Sequence, residues 1–205
     1  NQSDDIYPQV QFYDLNQDGI NEVFWYQVPY EGISDEHRLR AWSITGDSLI
    51  WETSLSFDIK FPKQNSIVDN QYILKELYFV ENEQGNARIV ANTNLRTYFP
   101  SLIVTINAET GEADQKYVHP GYFFDMNIYD INGDGVPEVL ATGVSNAFSK
   151  SVIIVLELDH IQGHAPTFGD YIVDDFKPAR QLRYILIPKT MVGRRSGSNT
   201  TLYRG

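Results

Sequence analysis

Two nine-residue segments hold oxygen donors at alternate positions. They are Asp14-Leu15-Asn16-Gln17-Asp18-Gly19-Ile20-Asn21-Glu22 and Asp130-Ile131-Asn132-Gly133-Asp134-Gly135-Val136-Pro137-Glu138. Hard cations take several oxygen ligands at once, and a short loop presents them when every second residue can supply one. In the first segment Asp14, Asn16 and Asp18 fall at positions 1, 3 and 5; Ile20 offers its backbone carbonyl at 7 and Glu22 its carboxylate at 9. The second repeats the set with Asp130, Asn132, Asp134, the Val136 carbonyl and Glu138. Gly19 and Gly135 sit where the chain must turn sharply. Three carboxylates and one amide per loop suit Ca²⁺ better than Mg²⁺, which keeps more of its water. The expectation is two Ca²⁺ sites. Metal-free turns are the simpler alternative, because Asn, Asp and Gly favour turns unaided; the recurrence of all five positions argues for the ion. Position 12 holds Trp25 or Ala141 instead of a bidentate Glu, and the flanks read as strand, so neither loop is an EF-hand.

The elements that must carry these loops are strands. Val23–Val28, Ser101–Ile106 and Ser151–Leu156 are short, rich in β-branched and aromatic residues, and bounded by Gly, Asn, Asp or Pro. No helical pattern of ten residues or more stands out. The two acidic segments are 116 residues apart, and midway lies Leu77–Val90, with the same strand–polar loop–strand rhythm but a degraded acid pattern. Leu39–Trp51 and Leu102–Glu112 each read as strand, tight turn, strand, with Gly46 and Gly111 where a hairpin needs positive φ. Each unit is thus four strands in about 58 residues, the size of a propeller blade. The reading is an all-β chain of β-propeller-type repeats, an incomplete propeller or part of a larger one. A propeller-like domain spans 1–188, with units near 9–58, 72–118 and 124–173; the segment from Gln181 to Ile187 opens a fourth unit, and 189–205 is a tail or linker.

The pattern Asp-x-Asn-x-Asp-Gly-x-x-Glu between two strands resembles the FG-GAP/VCBS repeats of integrin-α-like β-propellers. The resemblance covers the chain from about residue 9 to residue 173 and departs from the family at Glu81–Asn86, which lacks the required acids. It implies an extracytoplasmic module, secreted, periplasmic or cell-surface, used for binding, with Ca²⁺ as a structural ion. Its partner would be a protein or carbohydrate ligand, and the remainder of a larger propeller would adjoin it. Some relatives of this type are polysaccharide lyases or ectodomains of membrane signalling proteins, which gives the alternative functions.

Composition narrows the rest. The 16 Lys and Arg stand against 27 Asp and Glu, a net charge of −11. Nucleic acid and anionic lipid both call for a basic face, so neither is expected as a partner. With no cysteine, thiol nucleophiles, thiolate metal sites and disulfides are excluded. No apolar run reaches the roughly 18 residues of a spanning helix. The opening Asn1-Gln2-Ser3, without Met or a signal pattern, reads as a mature or excised piece. His160 and His164 are four apart, but Gly163 and Pro166 oppose a helix, which leaves a solvated loop. For lyase chemistry Lys60, Lys63, Arg96 or His119 could serve, and no spacing selects among them. The clusters Trp25-Tyr26, Tyr98-Phe99-Pro100 and Tyr122-Phe123-Phe124 could stack on sugars; the expectation is that they fill interfaces between neighbouring blades.

Overall fold

A computed structural model describes residues 10–27, 37–62, 72–81, 85–95 and 99–188. Alternating apolar residues form strands β1 (Val10–Tyr13), β2 (Glu22–Gln27), β3 (Arg38–Ser43) and β4 (Ser48–Ser54), which pair in that order as an antiparallel meander. A second meander contains β5 (Tyr72–Glu81), β6 (Ala87–Leu95), β7 (Ser101–Asn107) and β8 (Ala113–His119). The third begins with β9 (Gly121–Tyr129), β10 (Glu138–Ser145) and β11 (Lys150–Glu157). The two-residue β12 (Gly163–His164) then runs parallel to β8 of the second sheet. Finally β13 (Arg183–Ile187) returns to pair antiparallel with β11. Only two single-turn 3₁₀ segments, Leu158–His160 and Gly169–Tyr171, are helical among the described residues. The chain is all-β.

The three sheets stack face to face with the second in the middle. One apolar cluster joins Phe24, Tyr26, Leu39 and Trp51 of the first sheet to Leu74, Ile89, Ala91, Leu102, Val104 and Ile106 of the second. The other joins Val90, Ile103 and Tyr117 of the second to Phe123, Met126, Val139, Val152, Ile154 and Leu156 of the third. Because side chains alternate across a strand, β6 and β7 feed one cluster with even-spaced residues and the other with the intervening ones. That explains a sequence difference: Ser101–Ile106 is buried without interruption, whereas β2 alternates buried and open positions. The segment after β4 adds Leu55, Ile59 and Phe61 to the first cluster. Burying a Val, Leu or Ile side chain contributes about 1.5–3 kcal/mol, so these two junctions are the main source of stability.

Three expectations are corrected. The units are not evenly 58 residues long: their first strands begin at Val10, Tyr72 and Gly121, because strand lengths and connections vary. The strand near Leu182–Ile187 opens no fourth unit; it becomes the outer strand of the third sheet, placing Tyr184 and Leu186 against the second cluster. In the β3–β4 turn the left-handed residue is Asp47 (φ 45°), not Gly46, whereas Gly111 does adopt φ +74° in the β7–β8 turn. A Cβ on Gly111 would lie 2.6 Å from the Trp51 ring, so this turn is also where the second sheet presses on the first. The three described sheets form no closed ring. Tail residues 189–205 lie outside the described residues.

Candidate metal loops and their surroundings

Both acidic segments connect the first and second strands of a sheet, β1 to β2 and β9 to β10. They fold alike. Asp14 accepts the Gly19 N–H at 2.9 Å and Asp130 accepts the Gly135 N–H at 2.9 Å. Asn16 caps the Asp18 N–H at 3.0 Å, as Asn132 caps Asp134 at 2.8 Å. Asp18 accepts from Ile20 and Asp134 from Val136, both at 2.8 Å. Glu22 and Glu138 are 4% and 3% exposed and accept the Leu15 and Ile131 N–H groups, each at 2.8 Å. Gly19 and Gly135 have φ values of +87° and +88°, a conformation costly for any residue with a Cβ. Position 4 is left-handed in both loops, as Gln17 (φ 58°) in one and Gly133 (φ 79°) in the other.

These contacts bear on whether a cation fits. A carboxylate oxygen has two lone pairs, so one that accepts a backbone N–H keeps a site for a metal. Asp14, Asp18 and Glu22, and likewise Asp130, Asp134 and Glu138, are folded into one short loop with their orientation set by those N–H groups. Among the described residues, no group of three or more His, Cys, Asp or Glu side chains is gathered closely enough to form a ready shell. The expected ligand set also uses an Asn amide and a backbone carbonyl, and these donors suit Ca²⁺. The degraded loop joins β5 to β6 and turns at Gly85 (φ +78°), while Asn82, Glu83 and Gln84 lie outside the described residues.

The second loop has a neighbour that its sequence did not announce. A cavity of about 330 Å³ is lined by Asp134 and Glu138 of the loop together with Glu157, Asp159, His160 and Arg180. His160 pairs with Glu157 at 2.8 Å, and Arg180 reaches the same carboxylate at 3.5 Å. Arg88 of β6 bridges Asp159 at 2.7 Å and Asp114 at 3.2 Å, fixing the cavity wall to the second sheet. Of the residues outside the loop only His160 stood out in the sequence, and for a different reason. His160 is exposed, as expected, but His164 is not a solvated loop residue: it lies half-buried on β12 with Nδ1 2.7 Å from the Ala165 carbonyl.

Other candidates resolve by burial. His119 is fully buried, Nε2–H donating to the Val144 carbonyl at 3.0 Å, and burial lowers its pKa to about 4. It cannot act as an accessible base. Lys60 is exposed beside Asp175, while Lys63, Arg96 and Tyr98 lie outside the described residues. Tyr26 and Phe123 fill the two junctions, but Trp25 and Phe124 remain 39% and 37% exposed. Where the second and third sheets meet near β5 and β9, Glu76 and Asp125 bring their carboxyls within hydrogen-bonding reach. Burial first, and then the facing Asp125, push the Glu76 carboxyl up, against the hydrogen bonds it accepts from Asn92 and the Met126 N–H. No family model, curated protein or solved structure matches this chain.

Proposed function

We propose that the chain is a Ca²⁺-stabilised, extracytoplasmic binding module built from propeller-type blades of the FG-GAP/VCBS kind. One observation carries this: an acidic loop with the same four backbone N–H donations to its side chains recurs at the same connection of the first and third sheets in a face-to-face stack. Asp14, Asn16, Asp18, the Ile20 carbonyl and Glu22 would hold one ion, and Asp130, Asn132, Asp134, the Val136 carbonyl and Glu138 the other. The ion supplies charge neutralisation and rigidity. The protein's own residues turn the loop at Gly19 or Gly135 and hold the carboxylates with backbone N–H groups. The outer face of the first sheet carries Val10, Phe12, Trp25, Trp42 and Leu49 in the open, an apolar face that a further blade would cover. The cavity beside the second loop is a candidate place for a protein or carbohydrate ligand.

Equilibrium dialysis should find two Ca²⁺ per chain. Asp14→Ala and Asp130→Ala should each remove one, and Glu83→Ala none. Thermal unfolding that is identical in EDTA and in millimolar Ca²⁺ would reject the metal reading. Glycan and protein arrays probed with and without Ca²⁺ test binding, and depolymerisation assays on the same glycans test the enzymatic alternative. Light scattering tests the blade reading: self-association supports uncovered faces, whereas a stable monomer that binds no apolar dye counts against them.

A further inference from the structure

Among the described residues, the outer faces of the first and third sheets have no partner sheet. Counting from the acidic loops shows how the two faces relate. On β2 the second and fourth residues after Glu22, Phe24 and Tyr26, pack toward the second sheet, which leaves Val23 and Trp25 outward. On β10 the parity is opposite. The first and third residues after Glu138, Val139 and Ala141, pack toward the second sheet, which leaves Leu140 and Thr142 outward. The outer face of the first sheet therefore uses the positions with which the third sheet grips the second. The outer face of the third uses the positions with which the first does. Each open face is equivalent to one half of a junction already present in the stack, and the two are opposite halves. Their side chains also match. Strand register aligns Phe12, Val23, Trp42 and Leu49 across the first sheet, all but Val23 exposed. On the third sheet it aligns Thr142, Ile153 and Ile185, an aliphatic row. Rings against an aliphatic face is also how Phe24 and Trp51 meet Ile89 and Leu102 at the first junction.

We propose that these two faces pack on each other between two copies of this chain, head to tail, closing six sheets into one ring. The proposal rests on the propeller-type reading above and identifies the further blade as that of a second copy. Strands about 4.8 Å apart and about six residues long give each four-stranded face an area on the order of 400 Å². An open pair covers two faces, about 800 Å² in all, which is the size of a passing contact; a closed pair covers four, about 1,600 Å², the size of a stable interface. A head-to-tail contact can close or run on as a filament. Two copies fall within the range of about four to eight blades that close, and a third would exceed it.

The chain has no cysteine, so introduced thiols report the contact cleanly. Trp25→Cys and Thr142→Cys lie on the outer faces, each on the second strand of its sheet and one position apart when counted from the loops. Light scattering of the unaltered chain should give twice the chain mass. A short bis-maleimide should join the two variants when they are mixed, and should join neither variant to itself. Links between like thiols, or a ladder of higher oligomers, would overturn the closed pair. So would a monomer at every concentration. If that monomer binds an apolar dye, only the second copy as partner fails; if it binds none, the propeller-type reading fails with it.

Discussion

The two junctions that hold the stack together are made of different chemistry. Between the first and second sheets the contacts are aromatic. Tyr13 stacks on Phe79 at 4.4 Å, Phe24 meets Phe79 at 4.6 Å, and the Trp51 indole donates to the Ala108 carbonyl at 2.8 Å. Between the second and third sheets a polar network crosses the interface. Asn94 Nδ2–H donates to the Phe123 carbonyl at 2.9 Å, the Phe123 N–H donates to Ser101 Oγ at 3.0 Å, and Ser101 Oγ is 3.0 Å from the Gly121 carbonyl. His119 stacks on Phe123 at 4.6 Å within this network. An aromatic interface gains from area and tolerates small shifts. A buried polar one demands that each group meet its partner, and so fixes register more strictly.

The largest expected difference is in truncation. Trp51→Ala should cost about 4 kcal/mol, since it removes a large buried ring and leaves the Ala108 carbonyl unpaired. Ser101→Ala should cost about 2 kcal/mol by stranding its partners. Urea denaturation of both variants measures this, and equal losses would erase the contrast.

Acid should act on the polar junction. The folded pKa of His119, about 4, lies below the ordinary 6.5. As pH falls below 6.5 the unfolded chain takes up the proton first, so stability drops until about pH 4 and then levels. The full effect is about 3 kcal/mol. His119→Gln can still donate to Val144 and should flatten this part of the pH profile. An unchanged profile would show that His119 titrates normally.

Calcium tests whether the two acidic loops are equivalent. Each site should add about 2.7 kcal/mol when free Ca²⁺ is a hundred times its Kd. Glu157 and Asp159 stand near only the second loop, so Asp130→Ala should reduce the Ca²⁺-dependent rise in Tm more than Asp14→Ala. The opposite order would show that the Arg88 and Arg180 charges outweigh these acids.

The smallest effect concerns position 4 of the loops. Gln17→Gly relieves a left-handed strain of about 1–2 kcal/mol and adds about 0.5–1 kcal/mol of backbone entropy cost, for a net gain of about 0.5 kcal/mol. Gly133→Gln should lose about as much. Thermal melts in EDTA resolve both, and two changes of the same sign would break the equivalence of the loops.

What could be read in the sequence was local. Short runs of β-branched and aromatic residues mark β2, β7 and β11, and the acidic spacing marks two loops that share four backbone hydrogen bonds. Gly111 was legible because a tight hairpin needs its φ; Gly46 misled because Asp47 also tolerates that region. What escaped was set by tertiary contact. Two residues cannot announce β12, and nothing within Arg183–Ile187 says that it pairs with β11. The cavity wall joins Arg180 to a loop far earlier in the chain, and the Glu76–Asp125 pairing exists only because two sheets meet.

β12 also bears on how the molecule is assembled. Almost every strand pair joins sequence neighbours, so each meander closes short loops and can form early. The exception is the excursion after β11, where the Ala165 N–H donates to the Val118 carbonyl at 2.8 Å before the chain returns as β13. That clasp needs β8 in place beforehand. During synthesis from the N-terminus β8 always emerges first, and assembly can follow the order of translation. A circular permutant beginning at Gly121 would present the clasp before the strand it grips, leaving the edge of β11 open to wrong partners in the interval.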